Sequence, residues 1–264
     1  MTALRGVGVL VTRPEQQAIA LCRLLEAEGA VTYRLPAIEV EPVPERRDLA
    51  AALGDPTRFA AIVFVSANAV RFGAFLLDAW RHGPAHELPL AAIGPATARA
   101  LDAAGQRVTL VPAAGFDSEA LLADPRLDSV RGRSVLIVKG RGGRELLQTA
   151  FAARGAEVCV AEVYERHPAS PDPARLQALE GDCRAGSIDV ITATSAEIGA
   201  ALLHLGPPSL RECFGRAHWL VPSARVGEEL ARLGLRSPLI RATSAEDHDL
   251  VAALLRWRSS ASGA

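Results

Sequence analysis

The chain has 264 residues, 49% of them hydrophobic, and a formal net charge of −1. This length allows one large or two ordinary domains, and the nearly neutral charge excludes a bulk attraction to nucleic acid or to an anionic membrane. No apolar run approaches the roughly 18–20 residues of a membrane span and no leader sequence is recognisable, so we expect a cytoplasmic protein. The cysteines form no C-x-x-C pair and have no histidine at ligand spacing, so we expect reduced, buried side chains at Cys22, Cys159, Cys183 and Cys213.

Short apolar runs alternate with amphipathic segments along the whole chain. The apolar runs predict buried strands at residues 8–12, 60–65, 90–93, 108–111, 134–138, 188–193, 219–221 and 239–242. Helical spacing predicts helices at residues 18–28, 48–53, 66–77, 98–104, 118–122, 144–154, 174–183, 195–203, 226–233 and 244–255. The tail Ser259–Ala264 is expected to be disordered. Such alternation is typical of parallel sheets with helices on both faces.

Two longer segments differ from these short strands, Thr32–Pro42 and Val158–Pro168. Each follows a helix that ends in Gly-Ala, begins as a strand, continues with polar residues beyond the point where a buried strand should stop, and ends at a proline. A strand that extends past its own sheet is a good candidate for a connection between two lobes. We therefore expect the two segments to form a two-stranded hinge, with Tyr164 in the second one.

The chain also carries an internal duplication. Residues 9–42 are repeated as residues 135–168 at a spacing of 126, and Ser66-Ala67-Asn68 is matched by Ser195-Ala196-Glu197 at a spacing of 129. A repeat of this length predicts two similar α/β lobes.

The duplication leaves two domain arrangements open. If both long segments cross between the lobes, residues 1–36 and 170–264 form lobe 1, residues 43–163 form lobe 2, and residues 33–42 and 158–169 form the hinge. The alternative is two consecutive domains divided near Leu127. These patterns favour neither arrangement strongly.

The loops at the carboxyl ends of the predicted strands are the candidate binding site, because ligands of open parallel sheets bind there. These loops are rich in small, hydroxylated or basic residues, which together with helix N-termini suit anions. The candidates for substrate binding are Arg13, Ser66, Asn68, Gly94, Thr97, Ser118, Lys139, Arg141, Gly142, Ser195, Ser223 and Arg225. Ordinary helix capping is the alternative reason for serine and threonine at such positions.

Familiar catalytic motifs are missing from the sequence. No G-x-S-x-G, H-E-x-x-H or Walker motif occurs, and the histidines show no metal spacing. The segment Lys139–Glu145 resembles a dinucleotide-binding turn, with Glu162 near the place of the ribose-binding acid, but Glu145 stands where the third glycine is required. We therefore expect no metal and no cofactor. An enzyme with so few acid–base groups would work mainly by holding its substrate in shape.

A set of short motifs occurs in a specific order over nearly the whole chain. They are Val-Thr-Arg-Pro at 11–14, Phe-Val-Ser-Ala-Asn-Ala-Val at 64–70, Ile-Gly-Pro-Ala-Thr-Ala at 93–98, Phe-Asp-Ser-Glu-Ala-Leu-Leu at 116–122, Lys-Gly-Arg-Gly-Gly-Arg-Glu-Leu-Leu at 139–147, Arg-Gly-Ala at 154–156, Val-Tyr-Glu-Arg at 163–166 and Val-Pro-Ser-Ala-Arg-Val at 221–226. Together they resemble the uroporphyrinogen-III synthase family. The resemblance implies two α/β lobes joined by a two-stranded connector, one lobe inserted in the other, and so favours the crossing arrangement.

The resemblance also implies a reaction, the cofactor-independent closure of hydroxymethylbilane to uroporphyrinogen III by a cyclising lyase. The terminal hydroxyl leaves to give an azafulvene, a substituted carbon of ring D attacks it, and the spiro intermediate fragments and recloses with ring D inverted. Tyr164 matches the family tyrosine and is the expected catalytic residue, a phenol that protonates or hydrogen-bonds the departing hydroxyl. Packing at the hinge is its alternative role. Thr97 matches a family threonine, whereas Val226 stands where some family members have one.

The expected partner is this small-molecule substrate alone, received by a monomer in a transient transfer from the preceding enzyme, with no nucleic acid and no membrane. Two other classes are considered. A non-catalytic tetrapyrrole-binding or sensory module of the same fold is the main alternative, although the two lobes occupy the whole chain. A nucleotide-dependent oxidoreductase is disfavoured by the missing third glycine.

Overall fold

The computed structural model describes residues 2–44, 48–80, 88–113, 115 and 117–262. The chain forms two compact units, Met1–Glu39 with His167–Ala264 (unit 1) and Val40–Arg166 (unit 2). Unit 1 is discontinuous because unit 2 is inserted between its two segments. Among the described residues, each unit contains one five-stranded sheet.

Strands and helices alternate along the described residues. The strands are β1 (Gly8–Val11), β2 (Val31–Arg34), β3 (Ile38–Pro42), β4 (Phe59–Phe64), β5 (Leu90–Ala92), β6 (Ser134–Gly140), β7 (Glu157–Pro168), β8 (Val190–Thr192), β9 (His218–Val221) and β10 (Leu239–Arg241). The helices are α1 (Glu15–Ala27), α2 (Leu49–Leu53), α3 (Ala67–Trp80), α4 (Pro95–Ala103), α5 (Ser118–Leu122), α6 (Leu146–Ala153), α7 (Pro173–Arg184), α8 (Ala196–His204), α9 (Pro208–Arg216), α10 (Ala224–Arg232) and α11 (Asp247–Ser262).

The sheet of unit 1 has the order β10-β9-β8-β1-β2, and its neighbouring strands run parallel. Successive side chains of β1 point to opposite faces of the sheet. Val9 and Val11 pack in a core with α1 and α11, whereas Leu10 packs in a second core with α7 to α10. Because both faces are covered, β1 reads as an unbroken apolar run.

The sheet of unit 2 has the order β3-β7-β6-β4-β5, in which β7, β6, β4 and β5 are joined by parallel pairing. Ile62 and Phe64 of β4 pack against α3 and α4, and Ala61 and Val63 pack with α5 and α6 on the other face. Phe64 pairs with Val138 of β6, so the loops that follow β4 and β6 leave the sheet side by side.

The predicted fold class, two α/β lobes with parallel sheets, is confirmed. The first long segment is not one strand, however, because it breaks between β2, in the sheet of unit 1, and β3, in the sheet of unit 2. Pro36 lies at the break and has no N–H to donate. On either side of it, the N–H groups of Leu35 and Ala37 donate to the carbonyl oxygens of Val11 and Thr12. The second long segment is the continuous 12-residue strand β7.

Two local predictions are wrong, and one helix was missed. Residues 108–111 form no strand, because only Leu110 makes a bridge, to Ala91, and Pro112 follows without an N–H to extend the pairing. The tail is helical as far as Ser262 in α11, and residues 263 and 264 lie outside the described residues. Helix α9 was not predicted, although Leu210 and Phe214 stand four residues apart on its buried face.

The expectation of four reduced cysteines is also wrong, because Cys183 of α7 and Cys213 of α9 form a disulfide with a Cα–Cα distance of 5.8 Å. These helices pack side by side in one core of unit 1. Their cysteines are 30 residues apart in the sequence, and no local motif marks the pair. Cys22 and Cys159 are free thiols, the first buried and the second half-buried. No helix in the described part of the chain is long and apolar enough to cross a membrane.

Candidate active site

Tyr164 lies near the end of β7 beside a break in the strand register. Lys139 of β6 pairs with Glu162, but the next residue, Gly140, pairs with Tyr164. One extra residue, Val163, is therefore accommodated in β7, and such a bulge redirects the side chains that follow it. Val163 and Tyr164 are consecutive, yet both pack in the same core with α3, whereas successive residues of a regular strand point to opposite faces.

The Tyr164 ring lies directly on the backbone of Gly140. A Cβ atom at that position would stand 2.6 Å from the ring atoms Cε2 and Cζ and 3.0 Å from the hydroxyl oxygen. Glycine is therefore required here for close approach of the ring rather than for an unusual backbone angle. The main chain adds a second tie, since the N–H of Arg141 donates to the carbonyl oxygen of Tyr164 at 2.7 Å.

The hydroxyl group of Tyr164 lies 3.2 Å from the hydroxyl oxygen of Ser66, which precedes α3. Ser66 also accepts the N–H of Ala69 at 3.0 Å and so caps that helix. The ring is held by Phe72, with 5.7 Å between the ring centroids, and by the guanidinium of Arg166, 6.0 Å from its centroid. Because the ring is fixed by these contacts, the direction of the phenol O–H is set by its neighbours.

A half-enclosed cavity of about 230 Å³ lies within unit 2, lined by both Tyr164 and Ser66. Its wall includes the candidates Ser66, Ser118, Lys139, Gly142 and Tyr164. Two further cations that the sequence prediction omitted, Arg144 and Arg166, also line it, and Arg144 lies 3.7 Å from a carboxylate oxygen of Glu119 on α5. Among the described residues of the wall there is no aspartate or glutamate. In a chain of net charge −1, this is a local concentration of positive charge suited to anions.

The four predicted cations differ in the hydrogen-bond and ion-pair partners that the structure gives them. Arg13 pairs with Asp247 and with the carbonyl oxygen of Ala245. Arg141 lies 2.9 Å from a carboxylate oxygen of Glu165 and 3.5 Å from one of Glu162.

Of the remaining two cations, Arg225 is largely exposed and lies 3.7 Å from Glu229. Lys139 is only 8% exposed, yet within the described part of the chain it has no hydrogen-bond or ion-pair partner. It is also the only lysine of the whole sequence.

The loop between β6 and α6 forms one side of the cavity. Gly142 and Gly143 have φ angles of +71° and +80°, which residues with a side chain rarely adopt. The N–H of Gly142 donates to a carboxylate oxygen of Glu162 at 3.3 Å. No side chain caps the N-terminus of helix α6. The N–H groups of its first turn therefore donate no hydrogen bond to a capping side chain.

The remaining predicted residues lie outside the cavity wall, and two of them cap helices. Ser195 and Ser223 accept the N–H groups of Ile198 and Val226 at 3.2 and 3.4 Å, which is the capping role considered as their alternative. Four residues of unit 2 are outside the cavity wall, namely Asn68, Gly94, Thr97 and Arg141, and four belong to unit 1, namely Arg13, Ser195, Ser223 and Arg225. Of the quoted motifs, Phe116 lies outside the described residues.

Two signals in the sequence mark the residues that were missed. Arg166 stands two positions after Tyr164 on the same strand, and alternate strand residues share a face. Arg144 belongs to the basic, glycine-rich motif at 139–147 that was already singled out.

Comparisons with known proteins agree on one family. The family model described as uroporphyrinogen-III synthase HemD matches residues 20–251. The uroporphyrinogen-III synthase of Escherichia coli (strain K12) is 34% identical over 236 residues, which cover 86% of this chain and 90% of that protein. The same enzyme of Salmonella typhimurium is 34% identical over 233 residues, with the same coverage of 86% and 90%.

Among solved structures, a mutant uroporphyrinogen III synthase from the extremely thermophilic bacterium Thermus thermophilus superimposes with a TM-score of 0.62. It is 24% identical, and the match covers 98% of this chain and 100% of that one. The likeness demonstrates a shared fold.

Proposed function

The chain belongs to the uroporphyrinogen-III synthase family, and we propose that it closes the linear tetrapyrrole hydroxymethylbilane to uroporphyrinogen III in tetrapyrrole biosynthesis. The reaction is that of a cyclising lyase. A carbon–oxygen bond breaks at the terminal hydroxymethyl group, a carbon–carbon bond closes the macrocycle, and water is released. No cofactor takes part in the proposed steps.

The order of steps follows from the need to invert ring D. Loss of the hydroxyl group gives an electrophilic azafulvene, and a substituted carbon of ring D attacks it to form a spiro intermediate. Breakage of the older carbon–carbon bond at that centre and reclosure at the free ring-D carbon place ring D in the opposite orientation. The free chain closes spontaneously to the symmetric isomer, so the enzyme has to hold it bent before the new bond forms.

Tyr164 is the proposed proton donor for the departing hydroxyl. Its own hydroxyl faces Ser66 at 3.2 Å, and both residues line the cavity, although Tyr164 is only 4% exposed. A hydroxyl group can donate one hydrogen bond and accept two. Because Ser66 already accepts from Ala69, it keeps one acceptor site for Tyr164 or a proton to donate to it. Ser66 is thus the proposed positioning residue of the phenol.

The observation that carries this proposal is the charge of the cavity at the Tyr164 hydroxyl. Lys139, Arg144 and Arg166 line it, and no described acidic side chain does. A substrate with acetate and propionate arms on each ring needs such a surface, and an azafulvene, once formed, needs protection from nucleophilic side chains and water. Arg13, Asn68, Gly94, Thr97, Ser118, Arg141, Gly142, Ser195, Ser223 and Arg225 stay candidates for binding the other arms.

The domain boundaries are part of the same proposal, with a two-stranded hinge at residues 33–42 and 158–169. In support, the two units change over at residues 39–40 and 166–167, inside the neighbouring strands β3 and β7. We also propose a monomer in the cytoplasm that receives its substrate directly from the preceding enzyme; the Cys183–Cys213 disulfide would then be an exception to the reduced state of most cytosolic cysteines.

The test of catalysis is the rate at which hydroxymethylbilane disappears. Freshly prepared substrate is added to desalted protein that has been treated with a chelator, and loss of the linear form is followed against a protein-free control. We expect a rate proportional to protein concentration and insensitive to the chelator. A rate equal to that of the control, with binding of the substrate retained, would instead support the non-catalytic binding module.

A further inference from the structure

The stem of the Lys139 side chain is buried, whereas its ammonium group keeps access to the cavity. It is 8% exposed, its ammonium group has no hydrogen-bond or ion-pair partner within the described residues, and it lines the cavity beside Tyr164. A buried charge is normally paired or hydrogen-bonded, because leaving water is otherwise unfavourable. Because the ammonium group of Lys139 keeps some exposure to the cavity, either water or an anion there can be its partner.

Other groups that line the cavity also favour a negatively charged ligand. Arg166 and Arg144 line the cavity, Arg144 sharing its charge with the exposed Glu119 at 3.7 Å, and α6 begins next to the loop of Gly142 and Gly143 without a side-chain cap. The positive end of a helix and its free N–H groups bind anions. An anionic arm beside Lys139 would thus meet attractive groups from the strand, the loop and the helix.

The shape of the cavity indicates what carries the anion. Apolar side chains of Val65, Ile93, Ile137 and Leu147 form part of its wall, together with the ring of Tyr164. Its volume of about 230 Å³ is below that of pockets which enclose drug-sized ligands, roughly 300–1,000 Å³. A linear tetrapyrrole does not fit, whereas one aromatic ring with its arms does, and the open side leaves a path for the rest of the chain.

We infer that this cavity is a subsite for a single pyrrole ring and that Lys139 binds a carboxylate arm of that ring. The identity of the ring as part of the substrate rests on the proposed function. The anion preference rests on the cavity itself. Lys139 thereby fixes one ring next to the Tyr164 hydroxyl, which makes it a determinant of substrate position and of specificity for carboxylated rings.

The test uses the full chain and a monopyrrole, porphobilinogen, which has one acetate and one propionate arm. Protein made with 13Cε-labelled lysine gives a single lysine side-chain signal, because Lys139 is the only lysine. We expect this signal to shift on titration with the monopyrrole, with a dissociation constant on the order of 0.1–1 mM for a ligand of about 16 non-hydrogen atoms. The dimethyl ester of the same pyrrole should leave the signal in place.

Substitutions of Lys139 test the contribution of its charge separately from that of its length. Lys139→Met keeps the length of the side chain but removes the charge, and calorimetric titration should give affinity for the monopyrrole lower by about tenfold to a hundredfold. Lys139→Arg should stay within about threefold of the unchanged protein. Arg232→Met removes one exposed cation, 4.0 Å from Glu228 on α10, and should not alter binding. Thermal unfolding verifies that each variant is folded.

Three results from the monopyrrole titrations would overturn the inference, and a fourth comes from an acetate control. The first three are an unmoved Lys139 signal, equal affinity for the diacid and the diester, or a folded Lys139→Met variant that binds like the unchanged protein. If acetate at the same concentration moves the signal as much, the site selects anions but not rings, which also overturns it. Binding through Lys139 in a protein that fails to accelerate ring closure would leave the subsite standing while the proposed function fails.

Discussion

The substitution Gly140→Ala tests whether the position of the Tyr164 ring controls the reaction. The added methyl carbon would lie 2.6 Å from Cε2 and Cζ of the ring. Carbon atoms in ordinary contact are about 3.5–4.0 Å apart, so the ring has to move by roughly 1 Å. A shift of that size is about a third of the 3.2 Å distance between the hydroxyl oxygens of Tyr164 and Ser66, so it changes the geometry of that contact.

Two opposing effects set the change in stability. Overpacking a buried site costs about 1–3 kcal/mol of unfolding free energy. Alanine in a strand is about 0.5–1 kcal/mol more favourable than glycine. The net loss is therefore about 0–2.5 kcal/mol. The effect on the rate is larger, because displacing a reacting group by 1 Å lowers a rate by about a hundredfold.

Ring-closure rates and urea unfolding curves measure the two effects on the same preparations. In a Tyr164→Ala background the methyl group has room, so Gly140→Ala should cause no further loss of stability or rate there. Gly181→Ala on α7 is the control, since its added methyl meets nothing within 4 Å and should leave the rate unchanged. A Gly140→Ala enzyme with the normal rate would refute the argument that this contact positions the phenol.

Further predictions concern the hydroxyl, the disulfide and one acidic side chain. Tyr164→Phe should lower the ring-closure rate by about 10²–10⁴-fold and the unfolding free energy by no more than about 1.5 kcal/mol; an unchanged rate would remove the hydroxyl from the chemistry. Replacing Cys183 and Cys213 by serine opens a link across 30 residues, which should cost about 3.6 kcal/mol by loop entropy and lower the melting temperature by about 7–14 °C. Detection of four reactive thiols in the unfolded, unreduced protein would contradict the disulfide. The Arg126 side chain donates to Asp124 and lowers the pKa of that carboxyl to about 2. Because this pKa is depressed on folding, the stabilisation is complete above about pH 4 and is lost as the pH falls towards 2, and Arg126→Gln should return the pKa measured by NMR towards about 3.9.

Local patterns in the sequence predicted most of the fold. The apolar run at Gly8–Val11 and the one at Phe59–Phe64 are buried on both faces, so each reads as a strand without any tertiary information. The polar length of β7 similarly predicted an unusual strand. What failed depends on hydrogen-bond geometry at single residues, as where Pro36 divides the first long segment into two strands of different sheets.

The candidate site was less predictable because pairing is a property of the folded chain. Arg141 and Lys139 look equivalent in the sequence, but two carboxylates lie beside the guanidinium of Arg141 and none beside the ammonium of Lys139 within the described residues. The contact of Tyr164 with Gly140 likewise depends on a register shift of one residue between β6 and β7. Periodicity cannot reveal such a shift, since the strand pattern on either side of it is normal.

The disulfide and α9 were missed for a related reason. Cys183 and Cys213 meet only because α7 and α9 pack together, and their separation of 30 residues carries no signature. Helix α9 itself buries little more than Leu210 and Phe214, so its apolar stripe is short.

The isomer composition of the product tests the central claim most directly. Hydroxymethylbilane is incubated with the protein, the uroporphyrinogen formed is oxidised, and the porphyrin isomers are separated. The account predicts isomer III, with ring D inverted, as the main product. Formation of the symmetric isomer I alone, at the spontaneous rate, would contradict it.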